Sequence, residues 1–415
     1  MKPEGDPGPN GSHQWTETDT ARWGELAWRA AHEFSTPCYL SRWGPVVEAA
    51  EAQERRFAGL RVRSWLSFKT HPVRPLAAAW LRSGRGVEVV SEAELVAVSN
   101  LGYPSSQLLV NGIAKHAWLG RHRTPGLQVH FDSTSEIAAL LPAAVSQQWQ
   151  VGLRCHVPSE RDARDTRSGG QFGLSEEEFD DACRQLRGAG VRVHGLHFHL
   201  GQAARRPGAG AESIACLVAR CVRHDLAPQY FDCGGGINHA SDVDTAFAEL
   251  ADAFTEATRR LPSLGELWLE NGSHLTRGSA VLILRVLDTK LRSDGRYLIC
   301  DGGRTNHALD ADNGLHRLIS LPERPGPKIS TVVCGPTCMT DDRLGRLQLS
   351  AAIVPGDLIV WCDAGAYHLP WETRFSHGLS AVVWADDADQ LSLARPRETP
   401  EQWSQSWTSV RTTTA

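Results

Sequence analysis

From about residue 62 to residue 270, the chain repeats one unit: a short apolar or β-branched run, a polar or glycine-rich turn, and a helical segment. Eight strands alternating with helices favour a parallel barrel closed on itself, the (β/α)8 or TIM-like fold. An open, doubly wound sheet is the alternative, but its GxGxxG turn does not follow the first run. The predicted strands are Val62–Lys69, Val87–Ser91, Gln107–Asn111, Leu127–Asp132, Val151–His156, Val193–His199, Gln229–Asp232 and Glu266–Glu270.

The segments between these strands are mostly helical in pattern, and several begin with acidic or hydroxyl side chains, as helix N-termini prefer. The segments after Asn111 and Glu270 are less clearly helical. The predicted helices are Pro75–Leu81, Glu92–Ser99, Ser135–Ala144, Ser175–Arg187, Glu212–Arg223 and Thr245–Arg260.

Beyond about residue 280 the pattern changes to strands joined by turns, which predicts a second, mostly β domain. Its strand candidates are Val281–Lys290, Tyr297–Asp301, Ile329–Cys334 and Asp357–Cys362, and the strand-like Thr36–Arg42 is expected to join them. We therefore expect a partly disordered N-terminal extension over residues 1–35, a barrel over 45–280, and a β-rich domain made of 36–44 and 281–415.

Composition excludes several classes of function. The 415 residues carry a net charge of −5, and no basic field marks a nucleic-acid binder. No apolar run is long enough to span a bilayer, and the N-terminus lacks the apolar core of a secretory signal. We therefore expect a cytoplasmic protein that binds neither nucleic acid nor membrane. The ten cysteines are scattered along the chain, so free thiols are expected instead of disulfides.

Polar groups end nearly every predicted strand, which is where barrels of this type place their chemistry. Packing of core strands does not require such groups, so their convergence on one rim predicts an active site. Lys69 follows the apolar run SWLSF, where partial desolvation would suit a lysine to Schiff-base chemistry. A lysine extending its amine to solvent from a strand end is the alternative. In chain order the groups are Lys69, Glu88 with Ser91, Asn111, Asp132 with Ser133, Arg154, His197 with His199, Gly234–Gly236 and Glu270.

Two of these groups allow more than one interpretation. The backbone N–H groups of Gly234–Gly236 could cradle a phosphate, or the triplet could be a plain turn. His197 and His199 lie on one face of a strand and could bind a metal. We disfavour a metal because the pair lies on the sixth predicted strand instead of the first. His199 could instead stack on a flat cofactor beside a supporting or simply buried His197.

The remaining candidates are a carboxylate and a pair of cysteines. Glu270 facing a pyridine nitrogen would hold that nitrogen protonated and make the ring an electron sink; a salt bridge at the barrel mouth is the alternative. Cys334 and Cys338 have CxxxC spacing with no second pair, so a zinc site is not expected and one reactive thiol is the better interpretation. No metal is therefore expected.

In their order and strand-end placement, these motifs resemble the fold-type III pyridoxal-phosphate (PLP) decarboxylases, the group of ornithine, arginine and diaminopimelate decarboxylases. Alanine racemase shares this fold. The resemblance runs from about Thr36 to Gly378, most of the chain. The motifs are SFKTHP around Lys69, GVEVVSEAEL at 86–95, NGIAK at 111–115, FDSTSE at 131–136, GLR at 152–154, QFGL at 171–174, GLHFHLG at 195–201, FDCGGGIN, ENGS, CGPTC at 334–338 and GDLIVWCDAGAY at 356–367.

The resemblance implies PLP as the cofactor and a role for each matching residue. Lys69 would hold PLP as a Schiff base, His199 would stack on its ring, and Glu270 would pair with the pyridine nitrogen. Cys338 would protonate the carbanion left by CO2. The implied cofactor site also includes Glu88, Arg154, Gly234, Gly235, Gly236, Gly272, Ser273 and Tyr367. Two chains of this family share their sites in a homodimer, so Cys338 and Tyr367 would come from the partner chain.

Three departures from the family pattern bear on the substrate. Gln202 stands where the family usually has Ser after the HxHxG run. Ser273 replaces an Arg that meets the phosphate or the substrate carboxylate, and Arg277 is the candidate replacement one turn further on. Met339 follows Cys338, where diamine-forming members carry Asp or Glu for the distal ammonium. A methionine cannot pair a cation, and a buried, unpaired ammonium is costly.

We therefore expect that free ornithine, lysine or diaminopimelate is not the main substrate. Met339, Asp342 and Arg277 are the candidate substrate contacts. The Phe375-Ser-His-Gly ending is similar to the specialised-metabolism branch, which acts on amino acids conjugated to citrate or to a carrier protein in siderophore and antibiotic pathways.

Two other functions are weighed against decarboxylation. Racemisation on the same fold is disfavoured because alanine racemase has a cationic group where this chain has Glu270. An inactive regulator resembling antizyme inhibitor is disfavoured because Lys69, His199, Glu270 and Cys338 are all present.

Overall fold

The computed structural model describes residues 16–157, 170–201, 204, 206–237, 242–307 and 316–408. The strands in these ranges are β1 Cys38–Arg42, β2 Val62–Ser67, β3 Gly86–Val89, β4 Leu108–Val110, β5 Gln128–Phe131, β6 Gln150–Arg154, β7 Val193–His197, β8 Tyr230–Asp232, β9 Glu266–Leu269, β10 Ala280–Arg292, β11 Gly295–Cys300, β12 Leu318–Leu321, β13 Lys328–Cys334, β14 Arg343–Ser350, β15 Leu358–Trp361, β16 Ala381–Ala385 and β17 Leu391–Arg395. The helices are α1 Glu17–Phe34, α2 Gly44–Arg56, α3 Arg74–Arg82, α4 Glu92–Ser99, α5 Thr134–Ser146, α6 Glu176–Gly188, α7 Ala209–His224, α8 Val243–Arg260, α9 Gly272–Thr276 and α10 Pro400–Thr408.

The chain divides into a barrel unit and a β unit. The barrel unit contains Glu48–Lys69 and Ala77–Leu275, and the β unit contains residues 16–47, Thr70–Leu76 and residues 276–408. Strands β2 to β9 close into a parallel barrel in sequence order, with β2 paired to β9. The predicted barrel is therefore confirmed, and each of its eight strands lies within or next to a predicted run.

Most barrel strands end one or two residues earlier than the sequence predicts. The strand predicted over Val62–Lys69 ends at Ser67, and Phe68–Thr70 forms a turn of 3-10 helix. The segment after Asn111, which lacks a clear helical pattern, contains the 3-10 turns Lys115–Ala117 and Leu119–Arg121. Lys69 therefore lies on the turn that follows β2, whereas Glu88 and Arg154 belong to the last residues of their strands.

Large rings fill the barrel interior because facing positions are glycines. The rings of Tyr230 and Trp268 stack with centroids 3.4 Å apart, and Trp65 packs beside them. A Cβ at Gly195 would lie 2.2 Å from the Tyr230 ring, and one at Gly86 would lie 2.3 Å from Trp65. These small and large residues interdigitate to close packing, so the interior is a solid core below the rim.

The β unit is a nine-stranded sheet with the central order β14-β13-β11-β10-β1-β16-β17, and β15 pairs with β10 and β12. Strand β1 pairs with β10 and β16, so the strand-like Thr36–Arg42 segment does join the later strands. Within the described residues, no helix is both long and apolar enough to cross a membrane.

The described part of the N-terminal extension forms helix α1. Thr16 caps α1, accepting a hydrogen bond from the Asp19 backbone N–H at 3.0 Å, and the Asp19 carboxylate accepts from the Thr16 backbone in return. The apolar face of α1, including Trp23 and Leu26, packs into the core of the β unit. This burial stabilises the helix, and residues 1–15 lie outside the described residues.

Candidate active site

Lys69 and Glu88 form an ion pair on the rim of the barrel. Lys69 lies in the turn that follows β2, and its Nζ is 2.5 Å from Oε2 of Glu88 on β3. The parallel register places Ser67 opposite Glu88, which brings the two side chains to the same edge. Glu88 is buried, whereas 33% of the Lys69 side chain is exposed. The amine is therefore oriented by a buried carboxylate and still accessible from outside.

Glu270 is a buried carboxyl at the end of β9. Asn111 Nδ2 donates to its Oε1 at 2.8 Å, and His197 Nε2 lies 3.8 Å from its Oε2. Burial, followed by the negative charges of Asp232 and Glu88, raises the pKa of Glu270 well above its ordinary value of 4.5. A carboxyl whose ionised form is this unfavourable favours a cationic or proton-carrying partner.

Beneath Glu270 lies a layer of buried side chains, of which the sequence analysis named His197 but not His130 or Asp232. The Asp232 carboxylate accepts from the Gly234 N–H at 2.9 Å, and burial raises the pKa of Asp232 to about 7. The His130 and His197 rings stack at 5.0 Å, and burial lowers the pKa of His130 to about 3 and that of His197 well below 6.5. Both imidazoles are therefore neutral.

The signals that could have identified these residues are weak. His130 is the fourth residue of the predicted strand Leu127–Asp132, and Asp232 lies two residues before the glycine triplet. Only the closed barrel shows that both face the same interior layer as Glu270. His197 is buried, which was one of the interpretations offered by the sequence. Neither of its ring nitrogens has a hydrogen-bond partner within the described residues.

The glycine triplet after β8 forms a tight backbone cup beside His199. Gly234 and Gly236 have φ of 59° and 96°, a conformation that favours glycine. A Cβ at Gly235 would lie 2.7 Å from the Glu270 carbonyl oxygen, and one at Gly236 would lie 2.5 Å from the carbonyl oxygen of Gly201. Side chains are thus excluded, and the backbone can approach a bound group as a phosphate cradle requires.

His199 is fixed in one tautomer by the same cup. The Gly235 N–H donates to His199 Nδ1 at 3.1 Å, so a neutral His199 carries its proton on Nε2. Gly272 and Ser273 begin α9 directly after Glu270, and the Gly272 N–H donates to the Glu270 carbonyl at 2.8 Å.

Arg154 at the end of β6 is held by two neighbours. Its Nη1 lies 3.6 Å from Asp132 Oδ1, and its guanidinium lies 4.4 Å from the centroid of the Phe172 ring. The Gly173 N–H donates to the same Asp132 oxygen at 3.1 Å. The QFGL segment therefore positions Arg154 on the rim.

The predicted residues Cys338, Met339 and Asp342 lie in the β unit, in the turn between β13 and β14. Cys338 is exposed, and Met339 is 38% exposed. The Asp342 carboxylate accepts from the Arg304 N–H at 2.7 Å and from the Thr337 N–H and hydroxyl at 2.9 and 2.6 Å. These bonds engage both oxygens, so Asp342 shapes the turn that carries Cys338, and its contact with substrate stays a prediction.

Tyr367 and Arg277 also belong to the β unit. Tyr367 is half-buried at φ 63°, and its N–H donates to the Thr70 carbonyl at 2.8 Å. Burial lowers the pKa of His307 and of His368, and the positive charge of Arg277 contributes to both shifts. Gln202 lies outside the described residues.

The barrel rim thus offers an oriented amine, a phosphate-sized backbone cup and a buried carboxyl that favours a cation. These are the groups that an aldehyde, a phosphate and a pyridine nitrogen require, so the residues present fit PLP.

Comparison with known proteins agrees with this geometry. Residues 44–277 match the family described as pyridoxal-dependent decarboxylase, pyridoxal binding domain. The diaminopimelate decarboxylase of Deinococcus radiodurans is 27% identical over 90% of this chain and 96% of its own length. The L-glutamyl-[BtrI acyl-carrier protein] decarboxylase of Niallia circulans is 26% identical over 81% of this chain and 85% of its own length.

Solved structures support the fold. A crystal structure of diaminopimelate decarboxylase superposes with a TM-score of 0.80 at 20% identity, covering 95% of this chain and 99% of that one. Because the family match covers more than half of the chain, the chain belongs to the fold-type III PLP-dependent decarboxylases, and it is a lyase whose cofactor is PLP.

Proposed function

We propose that this enzyme decarboxylates an amino acid that carries no free distal ammonium, such as one conjugated to citrate or to a carrier protein, in specialised metabolism. The observation that carries the substrate proposal is Met339, beside the predicted acid Cys338. Its thioether offers no charge at the position where diamine-forming relatives place a carboxylate. The carrier-linked alternative gains weight from the Niallia circulans relative, whose name specifies a carrier-bound glutamyl group.

We propose the following roles for the residues of the barrel rim. PLP, when bound, supplies an electron sink for the electron pair left at Cα as CO2 departs. Lys69 holds the cofactor covalently, and Glu88, 2.5 Å from its Nζ, orients the amine for exchange with the substrate amine. The cup at Gly234–Gly236 binds the phosphate, with Arg154 on the adjacent rim. His199 lies beside the cup and packs on the ring face.

Glu270 keeps the proton on the pyridine nitrogen. Its carboxyl is buried and receives one hydrogen bond from Asn111, so a cationic ring is its most favourable partner. This is the group that favours decarboxylation over racemisation, since a cationic partner would leave the ring unprotonated. Cys338 then delivers a proton to Cα from an exposed turn.

We further propose a homodimer in which Cys338 and Tyr367 complete the partner's site, and a cytoplasmic location. The exposure of Cys338 supports the first, because an exposed acid needs a second surface to become part of a closed site. The ten cysteines are all free, which supports a reducing compartment.

The test is a CO2-release screen of the full-length holoenzyme against free, citryl-linked and carrier-bound amino acids. We expect release from a conjugate and little from ornithine, lysine or meso-diaminopimelate, and chiral analysis of recovered substrate shows no inversion. Lys69→Ala serves as the inactive control, with loss of the visible absorbance of bound PLP. Rapid turnover of free diaminopimelate by the wild-type enzyme would contradict the substrate proposal.

The variant Met339→Glu provides a matched check. A carboxylate at this position should improve kcat/KM for a free diamino acid relative to the conjugate, because the distal ammonium gains a partner. Met339→Leu keeps the size and lacks the charge, so it should leave the preference unchanged. If both variants shift the preference equally, charge at this position does not select the substrate.

A further inference from the structure

Three histidines that are far apart in the sequence meet in the core of the β unit. His307 follows a 3-10 turn, His316 precedes β12, and His368 follows Tyr367. Each is at most 4% exposed, and one ligand nitrogen from each lies within 4.8 Å of the others. The ring centroid of His307 lies 4.0 Å from that of His368 and 4.8 Å from that of His316.

Two of the rings have a fixed tautomer. His316 Nδ1 donates to the Cys362 carbonyl at 2.8 Å, and His368 Nδ1 donates to the Ala366 carbonyl at 3.0 Å. A carbonyl oxygen can only accept, so each neutral ring carries its proton on Nδ1 and a lone pair on Nε2. A backbone carbonyl that orients an imidazole through one nitrogen is the usual support of a metal-binding histidine.

His307 lacks the hydrogen bonds that a buried imidazole needs. Neither of its nitrogens has a partner within the described part of the chain, and burial lowers its pKa to about 2, so the ring is neutral. Leaving a buried polar group unpaired costs about 1–3 kcal/mol. Such a group in a packed core needs a hydrogen-bonding or coordinating partner, either a water molecule or an ion.

Two donors beside the cluster are also unsatisfied. The Trp361 indole packs on His316 at 5.0 Å and on His307 at 5.7 Å, and its Nε1 is buried with no partner among the described residues. The same holds for Nε of Arg277, whose charge acts on His307 and His368. The cluster therefore combines lone-pair nitrogens with N–H donors that require an acceptor.

We propose that His307, His316 and His368 bind one divalent transition-metal ion of the zinc type, with a water or hydroxide as the fourth ligand. Imidazole nitrogen is a preferred ligand of Zn²⁺, and three histidines plus one oxygen complete a tetrahedron. The metal takes the three lone pairs, and its oxygen ligand accepts from donors such as Trp361 and Arg277. An anion alone does not fit, because the Nε2 lone pairs of His316 and His368 would repel it.

Charge and distance are both compatible with this site. The positive charge of Arg277 disfavours a metal dication without an anionic ligand. A metal-bound hydroxide is more favourable, because it lowers the net positive charge of the metal centre. With Zn–N bonds of about 2.0–2.1 Å, tetrahedral nitrogens lie about 3.4 Å apart. Closing from 4.8 Å requires each ring to move by about an ångström or less. None of the three histidines is among the proposed catalytic groups, so we infer a structural role for the ion.

No motif in the sequence predicts this site. The spacings between the three histidines match no metal-binding motif, and the pairs that did suggest a metal, His197 with His199 and Cys334 with Cys338, are other residues. Only the pairing of β12 and β15, which adjoin His316 and lead toward His368, brings the rings together.

The experiment loads chelator-treated, full-length enzyme with Zn²⁺ or Co²⁺, removes unbound ion by gel filtration, and measures metal per chain by mass spectrometry. We expect about one ion per chain. His316→Asn and His368→Asn keep an amide donor where Nδ1 stood but remove the ligand nitrogen, and should weaken Co²⁺ binding by about 100-fold or more. His307→Asn should do the same.

His32→Asn is the matched control, because His32 Nδ1 also donates to a carbonyl, that of Trp28, but the ring stands on the exposed surface of α1. This variant should retain the ion. The proposal would be overturned if the cluster variants retained as much metal as wild type. It would also be overturned if the wild-type enzyme folded and retained no ion; a buried water would then be the better interpretation.

If the cluster variants fail to fold, the Co²⁺-loaded wild-type enzyme decides the question alone. Intense visible bands of tetrahedral Co²⁺ with nitrogen ligands support the site. Weak octahedral bands, or bands lost on gel filtration, refute it.

Discussion

Glu270→Gln should stabilise the cofactor-free enzyme while it lowers activity. The substitution keeps the shape of the side chain and its carbonyl oxygen, so the hydrogen bond from Asn111 is retained. What it removes is a carboxyl whose pKa is raised by burial and by the charges of Asp232 and Glu88. The structure therefore predicts opposite effects on the two measured quantities.

The size of the stability effect follows from proton linkage. The unfolded chain ionises Glu270 near its ordinary pKa of 4.5, whereas the folded chain keeps the proton to a higher pH. The folded state then binds more protons, so this group contributes stability below pH 4.5 that is lost as the pH rises. The loss is about 1.4 kcal/mol for each pH unit over which the folded chain keeps a proton that the unfolded chain has released. The variant avoids this loss.

The assay is urea unfolding of the PLP-free enzyme at pH 5 and pH 7. Wild type and Glu270→Gln should differ more at pH 7 than at pH 5, by up to about 1.4 kcal/mol per pH unit, with the variant the more stable. Glu256→Gln is the control, because the exposed Glu256 carboxylate pairs with Arg259 on the surface of α8. This variant keeps Glu270, so its unfolding free energy should follow the same pH dependence as that of wild type.

The loss of activity comes from the same charge. A hydrogen bond to a charged group is worth about 1.5–3 kcal/mol, so kcat/KM of the variant should fall by about 10- to 100-fold. The reasoning is refuted if the PLP-free variant is no more stable than wild type at pH 7, or if its advantage is the same at pH 5. Either result would mean that Glu270 ionises normally in the folded barrel.

Two further predictions concern the barrel. Lys115→Met should cost about 3–5 kcal/mol in urea unfolding, because it leaves the fully buried Glu136 carboxylate of their ion pair without its cation. Adding Glu136→Leu should recover only part of that loss, because the carboxylate also accepts from the backbone N–H groups of Lys115 and Asp132. No recovery would show that the pair does not act as a unit. Gly235→Ala should weaken PLP binding at least about tenfold in an absorbance titration, since its Cβ would lie 2.7 Å from a carbonyl oxygen. Gly265→Ala, whose Cβ would meet nothing within 4 Å, should bind PLP as wild type does.

The barrel and its rim could be predicted because both depend on local patterns. Each strand is a short apolar run, and its end is marked by the first polar residue after it. Since parallel strands end at the same face, Lys69 and Glu88 meet without any knowledge of side-chain packing. Most of the predicted barrel strands are one or two residues too long. A polar residue after a strand continues the sequence pattern but does not pair with the neighbouring strand.

The interior and the β unit could not be predicted in the same way. That His130 stacks on His197 depends on the stagger of neighbouring strands, which a single sequence does not specify. The meeting of His307 with His368 depends on strand pairings across a β sheet, and these are non-local. Helix α1 is the exception: Thr16 and Asp19 form a capping box that the sequence does display.

The electrostatics of the rim explain why this barrel needs its cofactor. Three carboxyls, those of Glu88, Asp232 and Glu270, are buried together, and the imidazoles beneath them are neutral because burial lowers their pKa. Among the described barrel residues, the cations that act on these carboxyls are mainly Lys69 and Arg154. In the proposed function, PLP would occupy Lys69, and a protonated pyridine ring beside Glu270 would supply the positive charge that these carboxyls otherwise lack. Binding of the cofactor should therefore stabilise the barrel more at pH 7 than at pH 5, where Glu270 and Asp232 can take up protons instead.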